Sequence, residues 1–160
     1  MARTTVARTI NAPADLVFRT VSDIANFSRA VPHITNVEFL SEQRSGVGTR
    51  FRETRMMKGK QAVTDLEVTE LVPNDRVRLV SHAGGILWDT VFTVKADGLA
   101  TTLTLTMDAL TNNVFRKLMV LMIGGMLRKA LEGDMDCVKS FCEGPDGAST
   151  LAAREPTEHR

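Results

Sequence analysis

The chain has 160 residues, 43% of them hydrophobic, with 20 Lys and Arg against 19 Asp and Glu and a formal net charge of +1. A chain of this size fits one domain that buries about two thirds of its unfolded surface without staples, and its balanced charge gives no overall pull toward nucleic acid or membrane. The longest apolar run, residues 118–127, is about half of a spanning helix, and the opening residues lack the apolar stretch of a secretory signal. A cytoplasmic protein with no integral membrane association is expected.

Residues 4–10 alternate Val6, Arg8 and Ile10 with Thr5, Ala7 and Thr9, the two-residue period of a strand. Asn11-Ala12-Pro13-Ala14-Asp15 then offers a helix start, with the proline where its missing N–H costs nothing. The first helix ends near Val21, Ser22 or Asp23 caps a second one through Ala30, and Pro32 closes it. Six further strands are predicted at 36–41, 47–57, 61–71, 76–82, 87–96 and 101–107. Turn pairs such as Ser45-Gly46, Lys58-Gly59, Asn74-Asp75, Gly84-Gly85 and Asp97-Gly98 separate them. Short connections make antiparallel neighbours, so the sheet is a meander. Its inner face is read as Phe51; Thr64, Leu66 and Val68; Val77 and Leu79; Trp88, Thr90, Phe92 and Val94; Leu103, Leu105 and Met107.

A long helix is predicted over 113–143. Its apolar face is read as Phe115, Met119, Met122, Ile123, Met126, Leu127, Ala130, Leu131, Val138 and Phe141, with Lys117, Arg128, Glu132, Asp136, Lys139 and Glu143 opposite. Gly124-Gly125 is a place where it can bend. Cys137 and Cys142 fall about 140° apart around this helix, too far to bridge or chelate together. Residues 1–143 form the predicted domain. From 144 onward little can be buried, and residues 144–160 read as a disordered tail. A single antiparallel sheet with one long helix must wrap that helix, which leaves room for a cavity and a ligand between them.

Beyond Met1, the seven methionines Met56, Met57, Met107, Met119, Met122, Met126 and Met135 suit either an adaptable apolar cavity or ordinary helix core. If Phe51 points inward, strand alternation turns Glu53 and Arg55 inward too, about 7 Å apart. Unpaired burial of either is costly, so they meet each other, water or a polar ligand group, unless the strand bends and both reach solvent. Arg50, Arg52, Lys58 and Lys60 read as a solvated face and hairpin tip. Asp134 projects on the apolar side of the long helix, where it either sits at the rim of the sheet or lies buried against a ligand. Trp88 reaches the cavity or serves as a core residue whose N–H finds a partner. Ser81 and His82 face opposite sides of a strand and cannot act as nucleophile and base. No His or Cys spacing suits a metal, and no phosphate-binding loop follows a strand, so neither metal nor other cofactor is expected.

The segment Ile10-Asn11-Ala12-Pro13-Ala14-Asp15-Leu16-Val17-Phe18, followed by Val21-Ser22-Asp23 and Val31-Pro32, resembles the opening of the START-like (SRPBCC) superfamily of polyketide cyclases/dehydrases and lipid transport proteins. Gly46-Val47-Gly48-Thr49-Arg50-Phe51 and Val68-Thr69-Glu70-Leu71-Val72-Pro73 resemble its third and fourth strands. The resemblance spans roughly residues 4–143. It implies an α+β helix-grip fold: a curved seven-stranded antiparallel sheet wrapped around a long C-terminal helix, two short helices after strand 1, and a hydrophobic ligand held between.

Two functions follow. The first is binding or transport of a small hydrophobic molecule (a lipid, isoprenoid or polyketide) by Phe51, Thr64, Leu66, Leu79, Ser81, Trp88, Thr90, Met107, Met119, Met122, Ile123 and Met126, with Phe27, Val31 and Ile34 as a gate. The second is a cyclase/dehydrase-like enzyme in which Glu53 removes a C–H proton and Arg55 stabilises the enolate. The absence of tyrosine leaves this second reading few acids and bases. Arg116-Lys117 and Arg128-Lys129 bracket the apolar run of the long helix and suit either a membrane surface or the flanks of a core helix.

Overall fold

The computed structural model describes residues 2–152. Strand β1 (Ala2–Ile10) leads into helices α1 (Ala14–Ser22) and α2 (Ile24–Ala30). Strands β2 (Ile34–Phe39), β3 (Arg50–Met57), β4 (Lys60–Val72), β5 (Arg76–Ala83), β6 (Ile86–Asp97) and β7 (Ala100–Leu110) follow, then α3 (Val114–Glu143) and α4 (Pro145–Ala152). One seven-stranded antiparallel sheet is ordered β1-β7-β6-β5-β4-β3-β2, so the meander closes by bringing the first strand back beside the last. This is the helix-grip, START-like arrangement.

Local chemistry sets the turns. Lys58 and Gly59 both have positive φ in a two-residue link, as do Gly84 and Gly85, which is the twist that antiparallel hairpins favour. Residues 47–49, expected to open β3, lie in a loop because Gly46 and Gly48 take φ of 82° and 93°. Asp23 caps α2 by accepting from the Asn26 N–H, and Asn113 caps α3 by accepting from Arg116. Register shifts at Ile34/Asn36 and Val68/Glu70 mark bulges in β2 and β4, which bend the sheet.

Register carries the alternation across the sheet in rows. Val77, Phe92, Leu105 and Val6 are consecutive partners, as are Leu79, Thr90, Met107 and Thr4. A third row runs Phe51, Leu66, Ser81, Trp88, Ala109 and Ala2. On the outer face, Arg3 and Asp108 pair at 2.8 Å and Arg52 and Asp65 at 2.7 Å, each directly across a strand pair.

The close-packed core lies at one end. Ile10, Leu16, Val17, Val77, Leu103, Leu105, Met135 and Val138 are fully buried where α1, the second half of α3 and the central strands meet. There α3 runs along β1, and polar groups fasten it. Lys139 Nζ donates to the Thr9 carbonyl at 2.6 Å, Glu143 accepts from the Asn11 N–H at 2.7 Å, and Arg8 pairs with Asp136 at 2.6 Å.

The first residues of the expected disordered tail are instead helical. Pro145 opens α4 where a missing N–H is harmless, and Gly147 is buried so close to the Cys142 carbonyl that a Cβ would overlap it. A low apolar content conceals this, because a glycine can dock by its backbone alone. Residues 153–160 lie outside the described residues. Cys137 and Cys142 are both free.

Leu103→Ala removes a side chain with no exposure at the centre of this core. It should cost about 2–5 kcal/mol in urea unfolding, with an unchanged denaturant slope.

Candidate functional site

Between the sheet, the helical corner and α3 lies a cavity of about 370 Å³. Phe51, Glu53, Arg55, Thr64, Leu66, Leu79, Ser81, Trp88, Thr90 and Met107 line it from the sheet, as strand alternation predicts. Phe27 lines it from α2, its ring edge-on to Phe92 with centroids 5.7 Å apart. Trp88 donates its N–H to the Ala83 carbonyl at 3.4 Å and, with Met107 and Leu127, also lines a cleft of about 130 Å³ beside Val120 and Gly124.

The helix contribution differs from the sequence expectation. Leu127, Ala130, Leu131 and Asp134 line the cavity, whereas Met119, Met122, Ile123 and Met126 do not. Met119, Met122 and Met126 are exposed. The second half of α3 buries Leu131, Met135, Val138 and Cys142, and carrying that face back at 3.6 residues per turn leads to Leu127 and Val120 rather than to the methionines. Val31, placed in the gate, is fully buried instead. It caps the end of α2, where its N–H meets the Phe27 carbonyl, and its side chain joins the core. Of the expected gate, Phe27 and Ile34 face the cavity.

Local reasoning also missed wall residues from the helical corner, Val21, Ser22, Ile24 and Ser28, and the strand residues Val37, Met57, Ala62 and Ala83. Ala62 was within reach of the pattern, since it lies two residues before Thr64 on the same face of β4.

The polar feature of this wall is a cluster of three charges. Arg55 Nε donates to Glu53 Oε1, and Nη1 donates to Asp134 Oδ2 at 2.7 Å. Glu53 and Asp134 are both buried, so Asp134 is not a rim residue. Burial by itself would loosen the Arg55 proton, but Asp134 and Glu53 more than offset it and raise the guanidinium above its ordinary value. Arg55 is therefore a permanent cation held between the side chains of Glu53 and Asp134. Nη2 of Arg55 makes no hydrogen bond among the described residues, nor do the hydroxyls of Thr64, Ser81 and Thr90. These groups can serve a guest.

Burial pushes the Cys142 thiol up, helped by Glu143 and partly offset by its hydrogen bond with Thr20. Burial likewise raises Cys137, aided by Asp134 and Asp136. Neither is a ready nucleophile. No group of three or more His, Cys, Asp or Glu among the described residues could hold a metal ion. No described helix is long and apolar enough to cross a membrane.

The sequence matches the family of polyketide cyclase / dehydrase and lipid transport over residues 1–139. The chain belongs to this family. No curated protein sequence matches it. Among solved structures, a START superfamily protein from Mycobacterium smegmatis is 16% identical, with 94% of this chain and 98% of the other covered at a TM-score of 0.68. The di-domain ARO/CYC BexL from the BE-7585A biosynthetic pathway is 16% identical, with 97% of this chain and 48% of the other covered at a TM-score of 0.72. TTHA0849 from Thermus thermophilus is 19% identical, with 96% of this chain and all of the other covered at a TM-score of 0.66. At these identities the likeness is one of fold. Family membership supports a ligand-binding or cyclase-like role without naming a ligand.

Removing the cation from the cluster leaves two buried carboxylates facing each other. Arg55→Met should destabilise the protein by about 3 kcal/mol, and adding Glu53→Gln and Asp134→Asn should recover most of the loss. Urea unfolding of the single and triple variants measures both.

Proposed function

We propose that the protein binds a small amphiphile in the cavity, an apolar body with a neutral oxygen function at one end. The observation that carries this reading is a cavity of about 370 Å³ walled mostly by hydrocarbon and holding one ionic cluster. That size falls within the roughly 300–1,000 Å³ common for small-molecule sites. Removing apolar surface from water contributes about 25 cal/mol per Å², so affinity needs no reactive side chain. The cluster selects the polar end. Two carboxylates against one guanidinium repel an anionic head, while a hydroxyl can accept from Arg55 Nη2 and donate to a carboxylate oxygen beside it. An alcohol of lipid, isoprenoid or polyketide origin meets both demands and a ketone the first of them, and the site lies in a protein expected to be cytoplasmic.

Displacement of the neutral dye Nile red tests this reading. A long-chain alcohol should displace the dye at about tenfold lower concentration than the carboxylate of equal chain length, a difference of about 1.4 kcal/mol. Preference for the carboxylate would overturn the assignment of the polar end. Failure of dye and alcohol alike to bind, with no copurified molecule in native mass spectrometry, would overturn the binding reading.

A second reading, a cyclase/dehydrase-like enzyme, is favoured by the Glu53 carboxylate standing beside Arg55 on the cavity wall. In it Glu53 takes a proton from carbon between two carbonyls and Arg55 stabilises the enolate. The wall has no tyrosine or histidine to share the work. A poly-ketone analogue should therefore bind without turnover. If it does turn over, loss of at least a hundredfold in both Glu53→Gln and Arg55→Met would establish this chemistry.

A further inference from the structure

The first half of α3 has two apolar faces. One meets the protein through Val120, Leu127 and Leu131. The opposite one is open to water, where Phe115 is 77%, Leu121 70% and Met122 79% exposed, with Val114, Leu118 and Met126 also exposed. In the second half of the same helix the outward positions are Glu132, Gly133, Asp136, Ser140 and Glu143, as an ordinary solvated back requires. The change of character occurs within one continuous helix, so the apolar back is local to the end beside the cavity.

Charge on this segment has one sign. From Val114 to Leu131 there is no Asp or Glu, while Lys117, Arg128 and Lys129 are exposed. Arg116 is excluded from the outer face, since its guanidinium lies across the Gly85 turn, 2.5 Å from where a Cβ would stand. A second copy is a poor occupant. Antiparallel pairing about a two-fold axis would set Lys117 beside Arg128 and Lys129 of the other copy, with no acid between them. Nor do residues 153–160 suit, because they contain a single alanine as apolar side chain other than proline.

We propose that the outward face of the first half of α3 is a docking surface for an anionic phospholipid bilayer. The helix would lie in the interface with Leu118, Leu121 and Met122 among the acyl chains, while Lys117, Arg128 and Lys129 reach the phosphates. Leu127 and Leu131 of the same helix line the cavity, so docking brings the cavity wall against the lipid surface. The proposal stands whether or not the cavity binds a guest.

Cosedimentation with vesicles tests it, using phosphatidylcholine alone and phosphatidylcholine mixed with phosphatidylglycerol. Wild-type protein should sediment with the mixed vesicles, and added salt should weaken the binding. Two variants, Leu118→Gln/Met122→Gln and Lys117→Gln/Arg128→Gln/Lys129→Gln, should each lower the partition coefficient about tenfold or more. Both should keep the wild-type circular dichroism and Nile red affinity, since none of these side chains lines the cavity. Wild-type protein remaining in the supernatant with the mixed vesicles overturns the proposal. So does a wild-type dimer in analytical ultracentrifugation that the Leu118→Gln/Met122→Gln variant dissociates.

Discussion

The packing of Leu131, Met135, Val138 and Cys142 in the core fixes the rotation of α3 about its own axis, and much else in the molecule follows from that constraint. A rigid helix locked at one end presents a determined face at the other. Leu127 and Asp134 are thereby aimed at the sheet, and Phe115, Leu118 and Met122 are turned outward. With those side chains turned outward, Leu127, Ala130, Leu131 and Asp134 are what the helix contributes to the cavity wall.

The Glu53–Arg55–Asp134 cluster is the second consequence. Desolvating three charges is expensive, an effective several kcal/mol per ion, and mutual attraction offsets this only with good geometry. The sheet supplies Glu53 and Arg55 from alternate positions of one strand, while the locked helix supplies Asp134 from the other side. Packing thus decides where the charges meet, and their pairing adds a geometric requirement that apolar contact alone would lack. An arginine held between two acids keeps its unused N–H donors in fixed directions.

Much of this was legible in the residues. Strands β3 to β7 bury one face, so a period of two names the side chains that line the cavity, from Phe51 to Met107. The first half of α3 gave no such guide. It is apolar around nearly its whole circumference, and periodicity selects no face there; the choice is made by residues two to four turns later in the chain. The partner of Arg55 was hidden for a related reason, since Asp134 lies 79 positions away and only tertiary packing brings the two together. Helix α4 escaped notice because it docks through a glycine backbone rather than an apolar stripe.

A sheet that does not close into a barrel has two outermost strands, each a template for unwanted pairing with a neighbour. On one border the bulge between Ile34 and Asn36 breaks the regular hydrogen-bond spacing of a short strand. On the other, the Lys139 ammonium occupies the Thr9 carbonyl, and the Glu143 carboxylate occupies the Asn11 amide just beyond it. An incoming strand would have to evict both. The residues that moor the long helix thus also stand in the way of edge-to-edge pairing at this border.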